Sequence, residues 1–199
     1  MGSFVLPQQM PLSLKQTRGV LAEGYQRHFG YAANEDELSV AWAQVCLETG
    51  KPPKPWNFNL GNLKYTAASW SGDWTLIPVA PPEPAAQRSY ATPEDGAQDY
   101  WALLDTPRFS SALQWFAVGD VANAAVRLGE AGWYGPPPGS SQAQKNAAIA
   151  AYAATMVRLQ AEYRRLFVQS TTFRKSYAIG VAVAAALVLG VAVYVTRQK

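Results

Sequence analysis

The sequence predicts a mostly α-helical chain with a small β lobe and one C-terminal transmembrane helix. Three observations predict it. Apolar residues recur at helical spacing behind polar caps through most of residues 14–168. One stretch, residues 73–90, combines β-type residues with a Pro-rich interruption. Residues 177–195 contain no charged side chain.

Residues 1–13 form an N-terminal arm, extended because Pro7 and Pro11 interrupt it. The arm has neither a basic start nor a continuous apolar core, so a secretory leader is not expected. Leu14–Phe29 is the first helix, with Leu14, Val20, Leu21, Tyr25 and Phe29 on one face. Asn34 precedes Glu37 by three residues, a capping-box pattern that starts a second helix. That helix should bury Leu38, Trp42, Val45 and Cys46 and end near Gly50. A Pro/Lys spacer and then a loop of amides and aromatics follow, Trp56-Asn57-Phe58-Asn59-Leu60-Gly61-Asn62-Leu63-Lys64.

Residues 73–90 are predicted to form an irregular hairpin, because Pro78 and Pro81-Pro82-Glu83-Pro84 exclude a long central strand. Thr92-Pro93-Glu94-Asp95 reads as an N-cap, a proline at the first helical position and acids in the first turn. Further helices are expected over residues 109–116, 120–130 and 141–167, with a Gly-Pro-Pro-Pro-Gly loop before the last. Residues 169–176 form a basic juxtamembrane linker, 177–196 the membrane span and 197–199 a short tail. The span matches the roughly 20 helical residues that cross a bilayer core of about 30 Å. Tyr177 and Tyr194 lie at its two ends, where amphipathic rings favour the interface.

The net charge of +3 misleads. Up to Ser170 there are 13 Lys and Arg against 14 acidic residues, so the tail carries the excess. No clustered basic surface remains to bind nucleic acid. Cys46 is the only cysteine, which excludes an internal disulfide and a cysteine-based metal site. His28 is the only histidine, so a His-rich metal site is excluded, and no nucleophile-elbow pattern occurs. No cofactor is implied.

The chemistry points to Glu48. It lies at the C-terminal end of the second helix, beside a loop, where the negative end of the helix dipole disfavours a carboxylate. A glutamate held protonated in this way suits a general acid. Glycoside cleavage needs such an acid, together with a second carboxylate or the substrate's own N-acetyl group. A helix-end glutamate that is merely solvated is the plain alternative. Trp42, Tyr100 and Trp101, on helices, are expected in the core. Trp56, Trp70, Trp74, Trp133 and Tyr134, in loops or turns, are equally suited to core or site.

With Leu47-Glu48-Thr49-Gly50, the Asn57–Lys64 loop, Arg88-Ser89-Tyr90, Asp99–Leu104, Pro107-Arg108-Phe109 and Ala131–Tyr134 in that order, the chain resembles the lysozyme-like glucosaminidases, glycoside hydrolase family 73, which include the hydrolase domains of flagellar assembly proteins and bacterial autolysins. Leu47-Glu48-Thr49-Gly50 and the Asn57–Lys64 loop resemble that family's Leu-Glu-Ser-Gly and Asn-x-Phe-Gly-Ile-Lys motifs, with Thr49 in place of Ser. Arg88-Ser89-Tyr90, Asp99-Tyr100-Trp101-Ala102-Leu103-Leu104, Pro107-Arg108-Phe109 and Ala131-Gly132-Trp133-Tyr134 are similar to later motifs, in the same order. The resemblance spans residues 38–165. It implies a lysozyme-like α+β fold that cuts the β-1,4 glycan strand of peptidoglycan with Glu48 as acid. It also implies that Asn59, Tyr90 and Trp133 or Tyr134 line the sugar groove, with Trp70 a further candidate. The family often carries a second carboxylate in its β lobe. Only Asp73 and Glu83 are available there, and Glu83, near the presumed hairpin tip, is the better match by position. The product is left open among a glucosaminide, a muramide and an anhydro end.

Basic residues before the span outnumber those after it, which predicts that the domain faces the cytoplasm. No mature cell wall exists there. A tail-anchored wall hydrolase carried in the membrane of a phage virion, acting during infection, reconciles the two. The bacterial inner membrane is the other location. Gly180/Ala184 and Ala186/Gly190 are spaced for close helix packing, compatible with other virion membrane proteins as neighbours. Rival readings are an inactive glycan-binding or structural membrane protein and a tail-anchored scaffold.

Overall fold

The computed structural model describes residues 2–68, 70–77, 85–135 and 139–169. Six α-helices and one two-stranded hairpin follow in the order α1 (Leu14–Phe29), α2 (Glu35–Thr49), β1 (Trp74–Ile77), β2 (Ala85–Arg88), α3 (Pro93–Leu104), α4 (Ser110–Ala117), α5 (Val121–Glu130) and α6 (Gln142–Tyr163). The chain divides into two compact units, Met1–Ala161 and Glu162–Lys199. Within the described residues the second unit contains the end of α6 and a π-helical segment, Arg164–Gln169, where the rings of Tyr163 and Phe167 lie 4.9 Å apart. The expected membrane span and its linker lie outside the described residues, apart from Gln169. Among the described residues no helix is long and apolar enough to cross a membrane.

The helix starts follow their caps. Asn34 accepts from the Glu37 amide while the Glu37 carboxylate accepts from the Asn34 amide, both at 2.8 Å. Thr92 caps α3 with Pro93 at its first position, and Asp120 caps α5. Ser13 and Gln16 form a second capping box at α1, which the sequence reading did not single out. α6 gives way to the π-helical segment at Arg164, short of the expected end at residue 167.

α2 is the centre of the fold. Every side chain from Glu37 to Cys46 is buried, so the middle of this helix has no solvent face. Its polar members are satisfied individually. Glu37 accepts from the Tyr25 hydroxyl at 2.6 Å, and the Ser39 hydroxyl accepts from Gln160 at 2.8 Å. Trp42 donates to the Leu14 carbonyl. α1 and α3 pack in front of it. Trp101 of α3 is fully buried, donates to the Leu21 carbonyl at 2.9 Å and meets Tyr25 edge-on at 5.0 Å. Buried rings of this size contribute roughly 1.5–3 kcal/mol each.

The β lobe is the antiparallel pair β1–β2, in register Trp74 with Arg88 and Ile77 with Ala85. The N-terminal arm is tied to it. Val5 donates to the Trp74 carbonyl, Trp74 to the Ser3 carbonyl, and Phe4 bridges Trp74 in parallel. Further along, Met10 and Leu12 donate to the Pro55 and Pro53 carbonyls, and Gln9 bridges Trp56. The arm is therefore bridged to the hairpin at Phe4 and straps the spacer after α2.

The α1–α3 crossing depends on Gly24. A Cβ at this position would lie 2.5 Å from the Ala97 Cβ. In an open helix Gly→Ala gains about 1 kcal/mol, whereas forcing a methyl into a packed contact costs about 1–3 kcal/mol. The clash should prevail, so Gly24→Ala is expected to lower stability by up to about 2 kcal/mol. Urea unfolding of the two proteins checks the sign.

Candidate active site

Glu48 occupies the last turn of α2. Thr49 turns its hydroxyl back onto the Val45 carbonyl at 2.7 Å, and Gly50, at φ 89°, carries the chain out of the helix. Lys54 then donates from its backbone to the Thr49 carbonyl. The following loop returns against the helix end. Asn57, Phe58 and Asn62 all take positive φ, at 45°, 57° and 52°. Asn tolerates that region better than other non-glycine residues. The turn delivers the Asn62 amide to the open end of α2, where Nδ2 donates to the Glu48 carbonyl at 2.7 Å and lies 3.3 Å from its Oε2.

The other carboxylate oxygen belongs to α6. The Tyr152 hydroxyl donates to Glu48 Oε1 at 2.7 Å, across 104 residues of sequence. Tyr152 is clamped by Tyr134, whose ring stacks on it at 3.6 Å and 9° and whose hydroxyl donates to the Ala125 carbonyl at 2.6 Å. Beneath them the Tyr100 hydroxyl donates to Gln44 Oε1 at 2.6 Å. Gln44 Nε2 is buried without a hydrogen bond of good geometry, yet lies close enough to the Tyr152 oxygen to oppose the rise in that phenol's pKa.

Burial pushes the Glu48 pKa upward, and the hydrogen bonds from Tyr152, Asn62 and Trp133 oppose it without cancelling it. The position at a helix C-terminus works in the same direction as burial. Burial and then the nearby Glu48 charge push Tyr152 and Tyr100 far above the ordinary tyrosine value. Both phenols therefore remain neutral donors. The result is a glutamate biased towards its acid form with one hydroxyl, one amide and one indole fixed around it.

Glu48 opens into a cleft of about 490 Å³ lined among others by Trp56, Asn62, Lys64, Gln87 and Trp133. A second hollow of about 450 Å³ shares Gly61, Asn62, Lys64 and Trp133 with it and extends to Arg88 and Arg108. Gly61 keeps the floor open, since a Cβ there would meet Tyr100 at 3.0 Å and Trp133 at 3.1 Å. The two hollows make one groove beside the acid, with amides, indoles and cations on its walls. Among the described residues no cluster of three or more His, Cys, Asp or Glu side chains forms that could hold a metal ion.

The other expected site residues separate. Trp133 lines both hollows. Asn59 does not reach the groove. It is fully buried, because its amide serves the loop backbone, donating to the Leu63 and Arg88 carbonyls and accepting from the Leu63 amide. Tyr90 also lies away from Glu48. Its hydroxyl is bound to Asp99, which also pairs with Arg88 at 2.7 Å. Trp70 covers that cluster, with the Arg88 guanidinium 5.0 Å from its ring and Tyr90 edge-on at 5.4 Å. Tyr134 is turned onto Tyr152 and away from the cleft. Glu83 lies outside the described residues. Asp73 accepts from the Ser3 amide in a different depression.

Sequence reasoning missed Tyr152, and it did not assign Trp56, Asn62, Lys54, Lys64 or Gln87 to the cleft. The one available signal for Tyr152 was an isolated phenol in an Ala-rich helix.

No family model matches the chain, and no curated protein matches it. Solved structures do. The glycoside hydrolase domain of FlgJ from Salmonella typhimurium superposes with a TM-score of 0.52 at 20% identity, over 86% of this chain and 99% of that domain. A peptidoglycan hydrolase mutant from Sphingomonas sp. A1 superposes with a TM-score of 0.52 at 22% identity, over 74% of this chain and 90% of that one. The likeness shows a common fold, mostly helical with a small β lobe, in line with the lysozyme-like arrangement expected.

A raised carboxyl pKa has a stability consequence. Glu48 binds its proton more tightly folded than unfolded, so its penalty is absent below about pH 4.5, the ordinary glutamate value, and grows as pH rises through the folded value. Glu48→Gln removes the ionisation. It is expected to raise the melting temperature at neutral pH, with the gain vanishing towards pH 4, as scanning calorimetry across pH would record.

Proposed function

We propose that this chain is a peptidoglycan glycosidase that cleaves the β-1,4 glycan strand with Glu48 as general acid. The observation that carries the reading is a glutamate of raised pKa, bound by Tyr152, opening into a groove of amides and indoles. Two neighbours of the same fold, a glycoside hydrolase domain and a peptidoglycan hydrolase, support it.

In this reading Glu48 gives its proton to the glycosidic oxygen as the bond breaks. The neutral Tyr152 hydroxyl and Asn62 then hold the carboxylate that remains, with no proton to take from it. Trp133 and Trp56 offer ring faces for sugars on the cleft walls. Among the described residues Glu48 is the one carboxylate lining the groove. In this reading the group that stabilises the positive sugar carbon is Glu83 or the N-acetyl oxygen of the substrate. The first gives a hydrolysed end by acid–base or nucleophilic assistance. The second leaves a muramide, a glucosaminide or an anhydro product open.

Residues 177–196 anchor the domain in a membrane, in this proposal, with the domain on the side where Arg174 and Lys175 lie. A wall enzyme so placed reaches its substrate when a lipid-containing virion delivers it. Flotation with liposomes tests the anchor: the full chain should rise with the lipid, and a chain ending at residue 168 should not.

Incubation with purified peptidoglycan, with product ends identified by mass spectrometry, tests the chemistry. Glu48→Gln is expected to lower the rate by about 10²–10⁴-fold, the usual contribution of a general acid. Tyr152→Phe removes a bond that favours the ionised form, so the Glu48 pKa should rise further. The basic limb of the pH–rate profile should then move to higher pH, with a rate loss of about tenfold. Equal release by wild type and Glu48→Gln would rule out Glu48 as the acid.

A further inference from the structure

We infer that the groove beside Glu48 selects glycan strands that carry carboxylates, and that Lys54 and Lys64 read them. The inference rests on the proposed hydrolase reading for the identity of the strand.

The charge balance of the groove differs from that of the domain. Up to Ser170 the chain carries one more acidic than basic residue. Among the described residues the charged groups that line the two hollows are Lys54, Lys64, Arg88, Arg108 and Glu48. The raised pKa of Glu48 removes part of its negative charge. The two arginines are committed already. Arg88 pairs with Asp99 at 2.7 Å, and Arg108 donates to the Ala131 carbonyl at 2.7 Å. Lys54 and Lys64 are exposed and form no ion pair among the described residues. Two uncommitted ammonium groups in a concave wall focus a positive field on whatever lies in the groove.

Their backbones are held in place. Lys54 donates to the Thr49 carbonyl between the buried Pro53 and Pro55. Lys64 bridges Gln87 of β2 and lines both hollows. A neutral N-acetylglucosamine polymer offers nothing for two ammonium groups to bind. A strand bearing lactyl or stem-peptide carboxylates does, and Gln9, Trp56 and Gln87 on the same lining can take its hydroxyls, amides and sugar faces.

The test uses the full chain and soluble glycan strands bearing their stem peptides. The comparison substrate is the same strands after carbodiimide coupling to ammonia, which turns their carboxylates into neutral amides. KM is expected to be roughly tenfold higher on the amidated strands, from about two- to fivefold per exposed lysine–carboxylate pair. The double variant K54Q/K64Q should lose this discrimination, and K54R/K64R should retain it. Wild type in 0.5 M salt should lose most of it. Equal KM on both strands, or discrimination that survives in K54Q/K64Q, would overturn the inference while leaving the hydrolase reading intact. If neither strand is cut, fluorescence anisotropy of labelled strands gives their affinities. Preference for the acidic strand without cleavage would sink the hydrolase reading alone, and equal affinity would sink the selectivity as well.

Discussion

The buried amides of Asn57 and Asn59 are the constraint on which the site depends. The loop from Trp56 to Leu63 is deeply buried yet belongs to neither helix nor sheet, so its backbone polar groups need partners from elsewhere. Asn57 Nδ2 donates to the Leu6 carbonyl and to the Ser89 hydroxyl, and Oδ1 accepts from the Gln8 amide. Asn59 serves the Leu63 and Arg88 backbone in the same way. Two side chains thus join the N-terminal arm, the loop and β2. They also hold Asn57, Phe58 and Asn62 at positive φ, a conformation that costs roughly 1–2 kcal/mol for Phe58 and less for the two asparagines. Gly96 completes the arrangement, because any Cβ there would collide with the Phe58 carbonyl.

With the loop fixed, the acid is set by opposition between burial and hydrogen bonding. Burial pushes Glu48 towards its acid form, and the three donors oppose that push without cancelling it. The Tyr134–Tyr152 stack keeps the Tyr152 donor in place. Each donor comes from a different element, so the ionisation of one carboxyl reports on the packing of much of the domain.

The helices were legible in the sequence because their caps are local. Asn34 with Glu37, Thr92 with Pro93, and Asp120 each announce a start within four residues. The position of Glu48 was legible for a related reason, since a helix end beside a loop can be read from one short window. The surroundings of Asn59 were not legible, because an amide in a loop looks the same in sequence whether it faces a groove or backbone. The difference is set by Leu63 and Arg88, and Arg88 lies 29 residues away. Tyr90 and Trp70 were opaque for a similar reason. Their surroundings are made by Asp99 and Arg88, which pair only once β2 and α3 have met. Tyr152 gave almost no signal, because small residues surround it on α6 and its partner is a whole domain distant in sequence.

That distance has a temporal meaning. A ribosome makes the acid early and its phenol partner about a hundred residues later. Until α6 emerges and docks, the nascent chain holds a glutamate with Asn62 nearby but without the hydroxyl that fixes its carboxylate. On the proposed reading the acid therefore lacks part of its hydrogen-bond set through most of the chain's synthesis, and that set is complete only when nearly all of the domain has left the tunnel. A product ending before α6 would carry Glu48 without the hydroxyl that fixes its carboxylate.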